Sequence, residues 1–106
     1  MPKAGFPLAT DALLLLELAR GPGTGSELLR RVRHRMGGAF VLHYGTFYPA
    51  LDRLLLKRCV EALTLPQPHR PIRPLKRYAL SQEGAKAVRR ISTALHRIIL
   101  PIEAAT

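Results

Sequence analysis

A single cysteine, Cys59, is all the thiol chemistry in this chain of 106 residues. One thiol cannot close an internal disulfide. With no Cys or His companion at ligand spacing it does not suggest a zinc site either, so a stapled secreted fold is excluded and a cytoplasmic protein is expected. Acidic residues are almost as scarce: 7 against 17 lysines and arginines, a formal charge of +10. That imbalance in so short a chain calls for a polyanionic partner, nucleic acid foremost. It also leaves Asp52 and Glu61 isolated among cations, where no nucleophile, base and orienting group can be assembled, so no enzyme is expected. Long apolar runs are missing too. Leu13 to Leu16 is too short to span a bilayer and Glu17 interrupts it, while Met1 to Pro7 lacks the apolar segment of a signal peptide, so neither membrane nor export is expected. His34, His43, His69 and His96 are scattered, and no metal or cofactor is expected.

What is present reads as one small domain, mainly α with a small β-hairpin. Thr10 and Asp11 can cap a first helix over about Ala12 to Ala19, stopped by Gly21, Pro22 and Gly23. Thr24-Gly25-Ser26-Glu27 has capping-box spacing and opens a second helix. Leu28, Leu29, Val32 and Met36 form its apolar stripe, Arg30, Arg31, Arg33 and Arg35 its polar surface, and Gly37-Gly38 its end. A third helix follows, with Phe47, Ala50, Leu51, Leu54 and Leu55 inward and Pro49 serving its first turn. Cys59 to Leu65 and Lys76 to Leu80 suggest a hairpin, and the four prolines between them make a protruding wing. Ser81 can cap a last helix from Gln82. In it Val88, Ile91, Leu95, Ile98 and Ile102 are spaced as a coiled-coil seam, and Pro101 is expected to end or kink it. Residues 1–80 then form a winged helix-turn-helix and residues 81–106 a dimerisation helix of the same compact unit.

The stretch from His43 to Leu54 is the one built to meet a nucleic-acid backbone. Gly45 permits close approach to a phosphate, Thr46 can cap or donate, Tyr44 and Tyr48 add aromatic hydroxyls, and Arg53 continues the exposed face. Arg70, Arg73, Lys76 and Arg77 line the wing with no acid between Glu61 and Glu83, as phosphate contacts would. Ordinary capping and a solvated loop are the plain alternatives. The DNA-facing set is therefore His43, Tyr44, Gly45, Thr46, Tyr48, Arg53, Arg70, Arg73, Lys76 and Arg77, and the dimer set Val88, Ile91, Leu95 and Ile98.

ALLLLELARGP followed by TGSELLRRV, then YGTFYPALDRLLLKRCVEA, then KRYALSQEG, occur in an order and spacing that resembles the PadR family of transcriptional regulators. The resemblance covers nearly the whole chain, and GTFYPAL with a wing and RYAL-x-x-x-G is its most specific part. It implies a homodimer whose third helices enter successive major grooves of double-stranded DNA, with wings on flanking backbone and terminal helices joining the subunits. It implies repression as the usual action, and the short C-terminal part resembles the compact subfamily with one terminal helix. Two positions depart from the pattern: Arg58 stands where glycine is usual after the third helix, so that helix must end another way, and Ser26 stands where an aromatic is common. Compact relatives that bind flat aromatic effectors between subunits often use tryptophan, and this chain has none. A dimeric repressor on an inverted-repeat operator is the leading expectation. An architectural or replication-associated DNA-binding protein is the second, and an interaction module that has lost DNA binding is the third.

Overall fold

The computed structural model describes residues 10–38, 41–67, 69 and 75–105. Seven elements follow one another: α1 Thr10–Leu18, β1 Gly23–Thr24, α2 Gly25–Met36, α3 Tyr44–Leu56, β2 Val60–Leu65, β3 Leu75–Leu80 and α4 Gln82–Ala105. α1 is apolar nearly all round because it is buried nearly all round. It packs against α2, α3, β3 and α4, and it buries Ala12, Leu14, Leu15 and Leu18. Thr10 and Asp11 lie inside its first turn instead of capping it.

α2 opens as its sequence dictates. The Glu27 carboxylate accepts from the Thr24 amide at 2.8 Å and the Thr24 hydroxyl accepts from the Glu27 amide at 3.2 Å, a complete capping box. It closes on Gly37, whose φ of +60° and amide bonds to the Arg33 and His34 carbonyls make an αL cap. Leu28, Leu29 and Val32 meet Leu14, Phe47, Leu51 and Leu54 in the core.

α3 ends in a Schellman arrangement without glycine. The Cys59 amide donates to the Leu54 carbonyl and the Arg58 amide to the Leu55 carbonyl, each at 3.0 Å, and Arg58 takes φ +61° between them. The chain therefore does use an αL residue here, at the expense of a Cβ crowding the backbone. Pro49 is not in the first turn. It is the sixth residue of α3, so its missing N–H deprives the Gly45 carbonyl of a helical partner, on an exposed side where water can replace it.

β2 and β3 form the expected hairpin, Val60 opposite Leu80 through Leu65 opposite Leu75. A third strand joins the hairpin: β1 pairs with the other edge of β3, Gly23 with Tyr78 and Thr24 with Arg77, giving the order β1-β3-β2. Two residues are too short to show a period.

α4 starts where Ser81 accepts from the Gly84 amide at 3.0 Å, and it runs through Pro101 to Ala105 instead of stopping there. Exposure explains the tolerance, since Pro101 stands in solvent and its lost bond can be made by water. At 1.5 Å per residue the helix is about 36 Å long, more than its own domain can cover.

Candidate nucleic-acid interface

The outward side of α3 follows from its inward side. Phe47, Ala50, Leu51 and Leu54 are buried, so the line directly opposite them is Gly45, Pro49, Asp52 and Leu56, at i, i+4, i+7 and i+11. Leu56 is 84% exposed at its end. Thr46 and Arg53 flank this line on one side, and Tyr44 and Tyr48 on the other.

The helix begins at His43, which supplies no side-chain cap; its carbonyl accepts the Thr46 and Phe47 amides at 3.1 and 2.9 Å. Thr46 therefore caps nothing there. A Cβ placed on Gly45 would meet no protein atom within 4 Å. The fold does not itself require that glycine, and the bare, uncapped helix start stands open to an anion.

The aromatic flank is locked. Tyr44 and Tyr48 stack at 6.0 Å and 6° between planes, Arg33 sits 5.3 Å over the Tyr44 ring, and Tyr48 meets Phe47 edge-on at 4.9 Å. Arg33 is held in turn by donating to the Leu42 carbonyl at 2.8 Å. Tyr48 is half-buried and presses on Gly25, where an added Cβ would lie 3.0 Å from its hydroxyl. Tyr44, at 63% exposure, is the tyrosine that faces outward.

Arg53 does not stand free. Its guanidinium grips Asp11 of α1 through two bonds, 2.6 and 3.2 Å, which raises its pKa further. On the wing, Lys76 is exposed opposite Thr64, while Arg77 lies beside Thr24 and helps hold the Glu27 carboxyl below its usual range, behind the larger effect of the Thr24 amide. Tyr78 is half-buried, and burial raises its pKa, with Tyr48 and Asp52 adding to the shift. Arg70 and Arg73 lie outside the described residues.

Three of the four arginines assigned to the surface of α2 are engaged with the protein. Besides Arg33, both Arg31 and Arg35 bind the buried Glu17 carboxylate, at 3.2 Å and 2.7 Å. The Arg35 hydrogen bond holds its carboxyl below the ordinary value despite burial, with Arg31 assisting. The sequence marked Glu17 only as an interruption. Its burial signal was the helix itself, since a lone carboxylate within an all-apolar segment needs cations from a neighbour, and arginines four apart on the next helix supply them.

The seam of α4 divides in two. Val88 and Ile91 pack against the domain's own core and Leu95 lies half-buried, whereas Ile98 and Ile102 are 58% and 63% exposed. Beside its first half, Leu13, Leu16, Val32, Met36 and Val88 line an open groove of about 350 Å³. No group of three potential metal ligands occurs among the described residues, and no helix described is long and apolar enough to cross a membrane.

Three helices, a three-stranded sheet with a projecting hairpin and an exposed third helix define a winged helix-turn-helix, a DNA-binding fold. The model of the transcriptional regulator PadR-like family matches residues 14–90, and the chain belongs to that family. Among solved structures it is similar to a PadR family regulator from Clostridium difficile, 25% identical, TM-score 0.70, covering 91% of this chain and 95% of that one. It is similar also to a transcriptional regulator from Clostridium thermocellum, 19% identical with TM-score 0.72 and 89% of each chain covered. A third likeness is to Bacillus subtilis PadR in complex with operator DNA, 18% identical with TM-score 0.69, over 80% of this chain and 47% of that one. No curated protein sequence matches.

Proposed function

We propose that the chain acts as a homodimer that binds an inverted-repeat operator in double-stranded DNA and represses transcription by occupying it. The observation that carries this reading is the start of α3: uncapped, free of side-chain bulk at Gly45, and exposed from His43 to Thr46. Such a terminus suits a phosphate at the lip of a major groove, with the rest of the helix laid along the bases. His43, Tyr44 and Thr46 surround that phosphate in this reading. Lys76, with Arg70, Arg73 and Arg77, fixes the flanking backbone and supplies affinity more than sequence choice. The Bacillus subtilis neighbour, bound to operator DNA, supports the same use of the fold.

The exposed half of α4 supports the dimer. Ile98 and Ile102 stand exposed one turn apart on the seam with Ile99 beside them, and a second copy of the same helix would cover this apolar stripe.

Selection from a random duplex pool at physiological salt, with the mass in solution measured for the wild type and Ile98→Glu, tests the reading. An enriched inverted repeat and a dimer that Ile98→Glu turns into a monomer support it. Tight, steeply salt-dependent binding with no enrichment points instead to an architectural role, and an unchanged mass for Ile98→Glu refutes the seam.

A further inference from the structure

Asp52 is a carboxylate in an unexpected place. It stands on the central outward line of α3, between Pro49 and Leu56, in a chain with a charge of +10. It enters none of the ion pairs among the described residues, and its neighbour Arg53 is turned away to Asp11. Pairing with a cation of the described residues therefore does not account for it.

Position decides what it can meet. A helix in the major groove points its central line at the base edges, while its flanks face the phosphate walls. On a flank, Asp52 would repel DNA; on the central line it needs an amino group to accept from. Only cytosine N4 and adenine N6 offer one in that groove. Adenine sets the N7 acceptor beside its amino group, which repels a carboxylate and matches an amide instead, and guanine presents acceptors only. Cytosine is the base that fits. Pro49 and the exposed Leu56 give the carboxylate apolar neighbours that exclude water from the contact and strengthen it.

We infer that Asp52 is a specificity-determining residue that reads one C·G pair in each half-site by accepting a hydrogen bond from cytosine N4. The inference rests on the DNA-binding reading above and goes beyond it, because it assigns a base to a residue. A carboxylate here also lowers non-specific affinity, so the same side chain both selects its site and rejects others.

The test is binding-site selection with wild type, Asp52→Asn and Asp52→Ala, each first checked for an unchanged helical spectrum and melting temperature; Asp52 is exposed, so both should fold. The wild type should enrich a C·G pair at one position of each half-site. Asp52→Asn should turn that position to A·T, and Asp52→Ala should leave it without preference, neighbouring positions unchanged. On the wild-type site, replacing that pair should weaken the wild type about 5- to 150-fold and Asp52→Ala by much less. Enrichment of the same bases by all three proteins overturns the inference while leaving the regulator reading intact. Failure of the wild type itself to enrich any sequence overturns both.

Discussion

Replacing Glu17 by glutamine removes one charge from the only buried carboxylate described, and its consequence can be worked from the contacts. The carboxylate accepts from Arg31 Nε at 3.2 Å, from Arg35 Nε at 2.7 Å and from a terminal Arg35 nitrogen at 3.2 Å. Breaking a buried pair by removing one partner typically costs about 3–5 kcal/mol. Two facts reduce that here. Arg31 keeps three backbone acceptors, the carbonyls of Gly21 at 2.7 Å, Pro22 at 3.1 Å and Glu17 at 3.2 Å, and so stays docked. Arg35, with its side chain 49% exposed, can turn to water. The expected loss is therefore about 2 kcal/mol, roughly a 10 °C drop in melting temperature for a domain of this size. The pH dependence checks the mechanism. The folded-state pKa of Glu17 lies below its unfolded value, so its stabilisation is complete above the unfolded pKa and is lost as pH falls through the folded one. Melts of both proteins should differ fully at pH 7, and the gap should narrow progressively below about pH 5 as the wild type gains the proton that glutamine mimics. A gap that is absent at pH 7, or that persists unchanged into acid, would refute the account.

Three further outcomes are expected. Arg58→Gly should stabilise: αL costs a non-glycine residue about 1–2 kcal/mol and glycine returns about half of that in unfolded-state entropy, leaving a gain of about 0.5–1 kcal/mol measurable by urea titration. Gly84→Ala should destabilise by about 3 kcal/mol on thermal melting, because the new methyl would fall directly on the Cys59 carbonyl oxygen, which cannot retreat without losing the Ser81 amide it accepts from at 3.0 Å. Asp11→Asn should leave stability nearly unchanged, since the pair is surface-exposed, yet free Arg53 for DNA; the salt slope of binding should steepen by about 1, and an unchanged slope would show that Arg53 meets no phosphate.

Much of this architecture could be read from residues whose chemistry is local. The capping box at Thr24, the αL stop at Gly37 and the Ser81 cap each depend on neighbours within a few positions, and each lies where the sequence puts it. Non-local pairings could not be read. Glu17 with Arg31 and Arg35, Arg53 with Asp11, and β1 on the edge of β3 join residues that only folding brings together. The outward line of α3 is non-local in the same way. Chemistry singled out Tyr44, Thr46, Tyr48 and Arg53, all attractive DNA ligands, whereas counting from the buried Phe47, Leu51 and Leu54 puts Asp52 and Leu56 opposite the core. Tyr48 and Arg53 prove to be half-occupied by the protein itself.

The join between α3 and α4 ties the two halves of the proposed function. Ser81 of the α4 cap donates its hydroxyl to the Arg58 carbonyl and its amide to the Cys59 carbonyl, and Gly84 lets the first turn of α4 close directly onto that same oxygen. α1 braces both sides, packing its apolar surface on α3 and on α4. With three backbone-level contacts and a packed brace, α3 has little freedom to swing against α4. In a dimer built on α4, the separation of the two α3 helices is then set by how the α4 helices cross, and a change in that crossing is delivered to the DNA-facing side almost undiminished. Gly84→Ala should accordingly alter more than stability: variants that still fold should prefer half-sites at a different spacing, with the bases inside each half-site unchanged. A shift in the bases at constant spacing would show that α3 turns independently of α4, and the rigid join would be wrong.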